Sequence, residues 1–276
     1  MRKDYRPVSQ PEAALDEAAL GERFWTRHWD REANQDLAYR IERDDKFKLA
    51  DPYLSSLPAS ARVLDAGCGL GQWTVHYTQR GFEVYGLDIC QTLIEKLKGQ
   101  HPHCRFVAGD LRQTEFEDGF FEACFSWGTF EHLEEGPGAY FREARRILKP
   151  GGLLLVTVPF QRLSQALGDR RPLRRWDDNY DRGRGYACPM RFYQWRLTKP
   201  ELAREFEING FEVLKVAAFG ADRKLRAAVK RRLRLDPEAR FRGRLVRALK
   251  WLAPRAGVAH MIIGVGRRRP PQDPSG

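Results

Sequence analysis

The chain has 276 residues, 42% of them hydrophobic and 31% charged, with a formal net charge of +11. Such a length and balance suit one large globular domain, or a domain with sizeable additions, and exclude a disordered chain. No run of about 18 apolar residues could span a bilayer, and the five scattered cysteines hold no C-x-x-C pair, against both a disulfide framework and a zinc site.

Residues 1–20 are polar, with Pro7 and Pro11, and read as a loose arm without an apolar leader, so no signal peptide is expected and the cytoplasm is the expected compartment. Leu20, Phe24, Trp25 and Trp29 recur at helical spacing from Glu17 to about Asp30. A second helical stretch covers roughly 34–50 and is ended by Asp51-Pro52. The rhythm then changes. ARVLDAG (61–67), FEVYGLD (82–88), CRFVAGD (104–110), FFEACFSWG (120–128) and LLLVTVP (153–159) are short apolar runs that predict buried strands. Between them lie predicted helices at 72–80, 91–100 and 138–148. His101, His103 and Cys104 read as a polar turn entering a strand, since Pro102 breaks any shared face, and no metal site is expected. LTKPELAREFEINGF (197–211) is a helix marked by Thr198 as cap, Pro200 in its first turn and Gly210 past its end. FEVLKVAAF (211–219) and AHMIIGVGRR (259–268) complete seven strands.

Alternating strands and helices joined by short connections predict an α/β fold with a doubly wound, mostly parallel seven-stranded sheet. Ligands of such sheets bind beyond the carboxyl ends of the strands. In VLDAGCGLGQWT glycine falls at every second position (Gly67, Gly69, Gly71), two residues after Asp65. The spacing is neither the dinucleotide G-x-G-x-x-G nor a P-loop, and a carboxylate beside a diphosphate would be electrostatically adverse. A nucleoside joined to a cationic group fits better. Asp88, at the end of the next strand, can accept from ribose hydroxyls, and Asp110 from an adenine amino group.

VLDAGCGLG, GLD, AGD, FSWGTFEHL and RILKPGGLLLVTVP together resemble the successive motifs of class I S-adenosylmethionine-dependent methyltransferases, in the broad group that acts on small molecules, quinones and glycans. The resemblance covers roughly residues 55–219 and the last strand. It implies S-adenosylmethionine as cofactor. Asp65, Gly67, Cys68, Gly69 and Gly71 would line its methionine end, Asp88 and Ile89 would meet ribose and adenine, Asp110 and Leu111 the adenine edge and face, and Ser126, Trp127 and Gly128 the sulfonium region. His132, with Glu131 beside it, is the candidate base for an oxygen or nitrogen acceptor, or else packs and orients its loop. Adjacent residues of a helix face different ways, so at most one of the two is expected to point at the acceptor.

Residues 1–54 form an N-terminal arm and helices on this reading, with Phe24, Trp25, Trp29 and Tyr39 closing one side of the pocket or serving as core. Residues 55–219 and 257–268 form the cofactor-binding domain, within which 160–196 is a substrate lid. Tyr180, Arg191 and Tyr193 are its candidate substrate contacts. Its arginines, Arg170, Arg171, Arg174, Arg175 and Arg191, either hold an anionic group or form a solvated surface. Residues 220–276 carry sixteen Lys/Arg and four Asp/Glu, a balance of +12, which leaves −1 for the rest of the chain. The apolar residues of 222–235 and 239–253 recur every fourth place, predicting two basic amphipathic helices in a 220–256 insertion. These pack on the protein itself, lie on an anionic membrane surface, or bind nucleic acid through phosphates. The tail 269–276 is expected to be disordered. The expected function is methyl transfer to a small-molecule or to a lipid- or glycan-linked acceptor, at oxygen, with the protein cytoplasmic or peripheral at the inner membrane face. The alternatives are an RNA methyltransferase that uses the basic helices and a non-catalytic cofactor-binding regulator.

Overall fold

The computed structural model describes residues 1–32, 41–162, 180–181, 185–186, 189–220 and 259–270. In chain order the elements are β1 (Arg2–Pro7), α1 (Gln10–Ala13), α2 (Glu17–Glu32), a 3-10 turn (Ile41–Arg43), α3 (Asp45–Leu54), β2 (Arg62–Ala66), α4 (Gln72–Gln79), β3 (Glu83–Asp88), α5 (Gln91–Gln100), β4 (Arg105–Ala108) and β5 (Phe121–Trp127). They continue with α6 (Gly138–Ile147), β6 (Leu148–Pro159), β7 (Tyr180–Asp181), β8 (Gly185–Tyr186), β9 (Met190–Arg196), α7 (Lys199–Ile208), β10 (Phe211–Phe219) and β11 (Met261–Arg268).

The main sheet runs β4-β3-β2-β5-β6-β11-β10. Strands β2 to β6 are mutually parallel, while β11 runs antiparallel to both its neighbours. Alternate residues of each strand feed two cores. Leu64, Cys124, Leu154 and Val156 pack with Phe141, Ile147, Leu202 and Phe206 of α6 and α7 on one face. Val63, Ala123, Phe125 and Leu155 pack with Ala50, Leu54, Trp73 and Tyr77 of α3 and α4 on the other. Burial on both faces is why these strands read as continuous apolar runs. Phe206 fills the space that Gly264 and Gly266 leave open on β11, where an added Cβ would strike its ring. Phe206→Ala is therefore expected to cost about 3–5 kcal/mol, read as a lower urea midpoint at unchanged slope.

The chain leaves β2 towards β3 and β4, then returns to β5 on the opposite side. The carboxyl ends of β2 and β5 thus flank the point where the winding reverses, which is where an open α/β sheet leaves a crevice. Cys68, Cys90, Cys104 and Cys124 are buried free thiols, and no described helix is long and apolar enough to cross a membrane.

Three expectations need correction. The opening arm is not loose: β1 pairs antiparallel with β9, anchored by buried Asp4, which accepts from Arg196 Nε at 3.0 Å and Gln194 Nε2 at 3.1 Å. RKDYRP shows no apolar alternation, so only its distant partner makes it a strand. Pro52 does not end a helix. It lies inside α3, whose cap is Asp44, accepting from Lys46 N–H at 2.7 Å. Burial of Ala50 and Leu54 against the sheet outweighs the proline's missing donor. Finally, β6 begins at Leu148 rather than Leu153, since Lys149-Pro150-Gly151-Gly152 continues in the strand. Residues 33–40, with Tyr39, lie outside the described residues. So do Arg170, Arg171, Arg174 and Arg175 of the insert, the two segments 222–235 and 239–253 expected to be basic helices, and tail residues 271–276.

Candidate active site

The strand ends build the site in layers. After β2 the chain turns through Gly67 and Gly69, both at positive φ (79° and 50°). A side chain at Gly67 would collide with Thr129, and one at Gly69 would come within 2.7 Å of the Trp29 ring. Left-handed geometry and lack of room both demand glycine here. The turn is fixed from β3: Gly67 and Cys68 N–H donate to the Leu87 carbonyl at 2.8 and 2.9 Å. Gly69 N–H donates to Asp88 Oδ2 at 3.0 Å, and Cys90 N–H to Asp88 Oδ1 at 3.0 Å. Asp88 thus holds two adjoining loops at once.

These loops floor a cavity of about 430 Å³ at the carboxyl ends of β2, β3, β4 and β5. Among the expected residues, Asp65, Gly67, Cys68, Gly69, Asp88, Ile89, Asp110, Leu111, Trp127, Gly128, Glu131, His132 and Tyr193 line it. Asp65, only 1% exposed, accepts from Thr74 Oγ1 at 2.8 Å, and burial raises its carboxyl to about 7. Asp110 is held below its ordinary range by Arg112, which it accepts through N–H, Nε and Nη2 at 2.6–2.8 Å.

Three expected residues are not in the cavity. Gly71 opens α4 in the left-handed region and faces Phe106, 2.8 Å from where its Cβ would stand, so its role is packing beneath the turn. Ser126 is fully buried and donates to the Ala66 carbonyl at 2.8 Å, tying β5 to β2. Arg191 lies on β9 beyond the cavity wall, its Nη1 donating to the carbonyls of Ala13 and Leu15 at 3.0 Å each. The Tyr180 side chain lies outside the described residues.

Glu131 and His132 correct a different expectation. Residues 129–137 form a turn rather than a helix, so both side chains reach the cavity. The strand β9 locks this turn: Trp195 N–H donates to the Glu131 carbonyl at 2.8 Å, and Trp195 Nε1 to that of Leu133 at 2.9 Å. His132 Nδ1 lies 2.6 Å from the Tyr193 carbonyl and therefore carries the proton there, leaving the ring's lone pair on Nε2. Burial, outweighing that hydrogen bond, lowers the imidazole to about 4. Glu131 is 3% exposed, and burial raises its carboxyl to about 8. At neutral pH, then, His132 is the acceptor of protons and Glu131 holds one.

The chain also brings in residues that sequence reasoning missed. Lys46 lines the cavity near Asp65, its ammonium 5.3 Å from the Trp73 ring and 6.0 Å from that of Trp127. A single lysine on a helix carries no signal until the helix is docked. His28, Thr129, Tyr140 and Gln194 join in the same way. From α2, Trp25 and Trp29 stand over the glycine turn with their rings stacked at 5.8 Å. Among the described residues, three of the lining side chains carry a buried polar atom without a hydrogen-bond partner: Trp29 Nε1, Trp127 Nε1 and Glu131 Oε2. Buried polar groups are normally satisfied, so orphans that share one cavity point to a polar ligand.

Residues 64–156 match a family model described as a methyltransferase domain. These residues form a methyltransferase domain. It is 28% identical over 134 residues to malonyl-(acyl-carrier protein) O-methyltransferase of Serratia marcescens, covering 49% of this chain and 51% of that protein. The protein of the same name from Pectobacterium atrosepticum is 31% identical over 119 residues, or 41% and 47% of the two chains. The domain-bearing chain thus spans about half the length of the curated relatives it matches. Its fold is that of the Burkholderia thailandensis 1,6-didemethyltoxoflavin-N1-methyltransferase, solved with 1,6-didemethyltoxoflavin and S-adenosylhomocysteine. The TM-score is 0.58 at 16% identity, over 98% of this chain and 96% of that one.

Proposed function

We propose that the methyltransferase domain binds S-adenosylmethionine in this cavity and directs its methyl group to an oxygen of a small-molecule acceptor. The observation that carries the reading is the bare glycine turn braced by Asp88, with buried Asp65 behind it and lining residues that keep polar atoms buried without a partner. Asp88 would meet the ribose hydroxyls, Ile89 and Leu111 would clamp the adenine, and Asp110 would accept from its amino group. The amino-acid end carries both signs, and both are matched: Asp65 suits the ammonium and Lys46 the carboxylate. Bound S-adenosylmethionine supplies a methyl group already activated on sulfur, which leaves alignment and exclusion of water to the protein. Trp25, Trp29 and Tyr193 cover the site, and His132 Nε2 takes the acceptor's proton. The O-methyl transfer in the relatives' names supports oxygen as the acceptor atom.

Calorimetry should register binding of S-adenosylmethionine and S-adenosylhomocysteine but not of NAD or ATP; the reverse pattern overturns the proposal. Affinity for S-adenosylmethionine should also depend on pH. Burial keeps Asp65 protonated in the free protein below about 7, whereas a bound ammonium favours the ionised form. Binding therefore releases a proton below that pH, and affinity drops roughly tenfold per unit as pH falls from 7. Titrations at pH 6 in buffers of different ionisation enthalpy measure that proton, and Asp65→Asn should flatten the profile.

A lipid- or glycan-linked acceptor, and membrane contact through residues 220–256, rest on charge and periodicity in the sequence. Co-sedimentation with anionic liposomes, and with RNA in parallel, tests that segment with the full chain.

A further inference from the structure

Beside the main cavity lies a smaller one of about 50 Å³, and the two share Gly21, Trp25, His132 and Tyr193 in their walls. Its special feature is a pair of like charges. Arg6 of β1 and Arg191 of β9 stand directly opposite each other in the ladder, and both line the small cavity. Like charges in register on paired strands repel, and a half-buried cation without a counter-ion is costly. Arg6 has no hydrogen-bonded or ion-paired carboxylate among the described residues; its guanidinium instead stacks 3.7 Å from the centre of the Phe24 ring. Glu12, whose charge acts favourably on Arg6, is itself engaged by Ser9 N–H at 3.0 Å, Ser9 Oγ at 2.8 Å and Arg27 Nη1 at 2.6 Å. Glu134 at the cavity rim pairs with Lys3 Nζ at 2.9 Å. The two carbonyls on Arg191 occupy its Nη1 donors, which orients the fork and leaves Nη2 and Nε.

We propose that Arg6 and Arg191 form a subsite for one compact anionic group, a carboxylate or a phosphate, carried by the acceptor. The assignment rests on the methyl-transfer reading of the main cavity. Its volume admits only a few water-sized atoms, which suits a single such group and not a longer polyanion. Guanidinium donors from facing positions of a strand pair match the oxygens of either anion, and an anion in the small cavity supplies a counter-charge to both. The shared wall matters for the reaction: His132 borders both spaces, so an acceptor held by its anionic end would reach the main cavity past His132. The aromatic faces of Trp25 and Tyr193 along the same wall favour a flat scaffold between the two ends.

Calorimetric titration of the protein saturated with S-adenosylhomocysteine, using benzoate, phenyl phosphate and benzyl alcohol as probes, tests the subsite. Benzoate or phenyl phosphate should bind at least tenfold tighter than the alcohol, and whichever leads identifies the source of the anion. Arg6→Gln should remove that preference, while Arg6→Lys, which keeps the charge but not the fork, should retain only a few-fold. Equal affinities in the wild type, or a preference that survives Arg6→Gln, would overturn the proposal. If S-adenosylhomocysteine fails to bind while the anion preference persists, the subsite stands and the methyl-transfer reading falls.

Discussion

Asp88→Ala is expected to weaken S-adenosylmethionine binding by on the order of a hundredfold or more. The carboxylate accepts one N–H from the glycine turn and one from the start of α5, at 3.0 Å each. Hydrogen bonds to a charged group contribute about 1.5–3 kcal/mol apiece, and every 1.4 kcal/mol is tenfold in affinity. Alanine frees both loops and also removes the partner for the ribose. Asp88→Asn keeps an acceptor for one N–H and should fall between. Gly67→Val reaches a similar loss by another route, because a left-handed β-branched residue would have to enter the space of Thr129. Calorimetry with S-adenosylhomocysteine measures both variants, and urea unfolding separates lost binding from lost fold. Wild-type affinity in the Asp88→Ala, Gly67→Val double variant would refute the site.

The second large effect belongs to His132. Its replacement by alanine should lower kcat about 10²- to 10⁴-fold, the usual weight of a general base, with cofactor affinity changed little. The proton on Nδ1 is committed to the Tyr193 carbonyl, so alanine removes the lone pair that the ring keeps on Nε2. Burial has moved the group to about 4. An imidazole base works when unprotonated, so kcat at saturating S-adenosylmethionine should rise with pH through about 4 and stay level at pH 5–7, without a step near 6.5. Glu131, raised to about 8, loses its proton above that pH and places a buried charge beside the reacting atoms. An alkaline decline near 8 should follow, and Glu131→Gln should abolish it while leaving the acid limb. A step near 6.5, or full activity in His132→Ala, would remove the histidine from the mechanism.

The two cases show how differently parts of this site could be read beforehand. Asp88 was legible because strand, acid and glycine turn are close in sequence and their spacing encodes one local geometry. Glu131 and His132 were legible as chemistry but not as geometry: a helix at 129–137 would have set them on different faces, whereas the observed turn, pinned by Trp195, brings both to one cavity. Gly71 and Ser126 share the motif's spacing yet serve packing and strand pairing, a distinction that depends on Phe106 and on the Ala66 carbonyl. Lys46 and Arg6 gave no sign at all. A cation on a helix or in a polar strand looks solvated until a distant element closes over it.

What the sequence by itself determined is the sheet, its winding and the glycine-turn floor of the cavity, since alternating apolar runs, glycines and strand-terminal acids act through neighbours a few residues away. The tertiary structure decided the upper half of the cavity. There β1 meets β9 across about 190 residues, α2 lays its tryptophans over the glycine turn, and two arginines come into register. Backbone periodicity records which face of an element is buried, but not which remote element buries it, and that pairing sets the charges and donors offered to the acceptor.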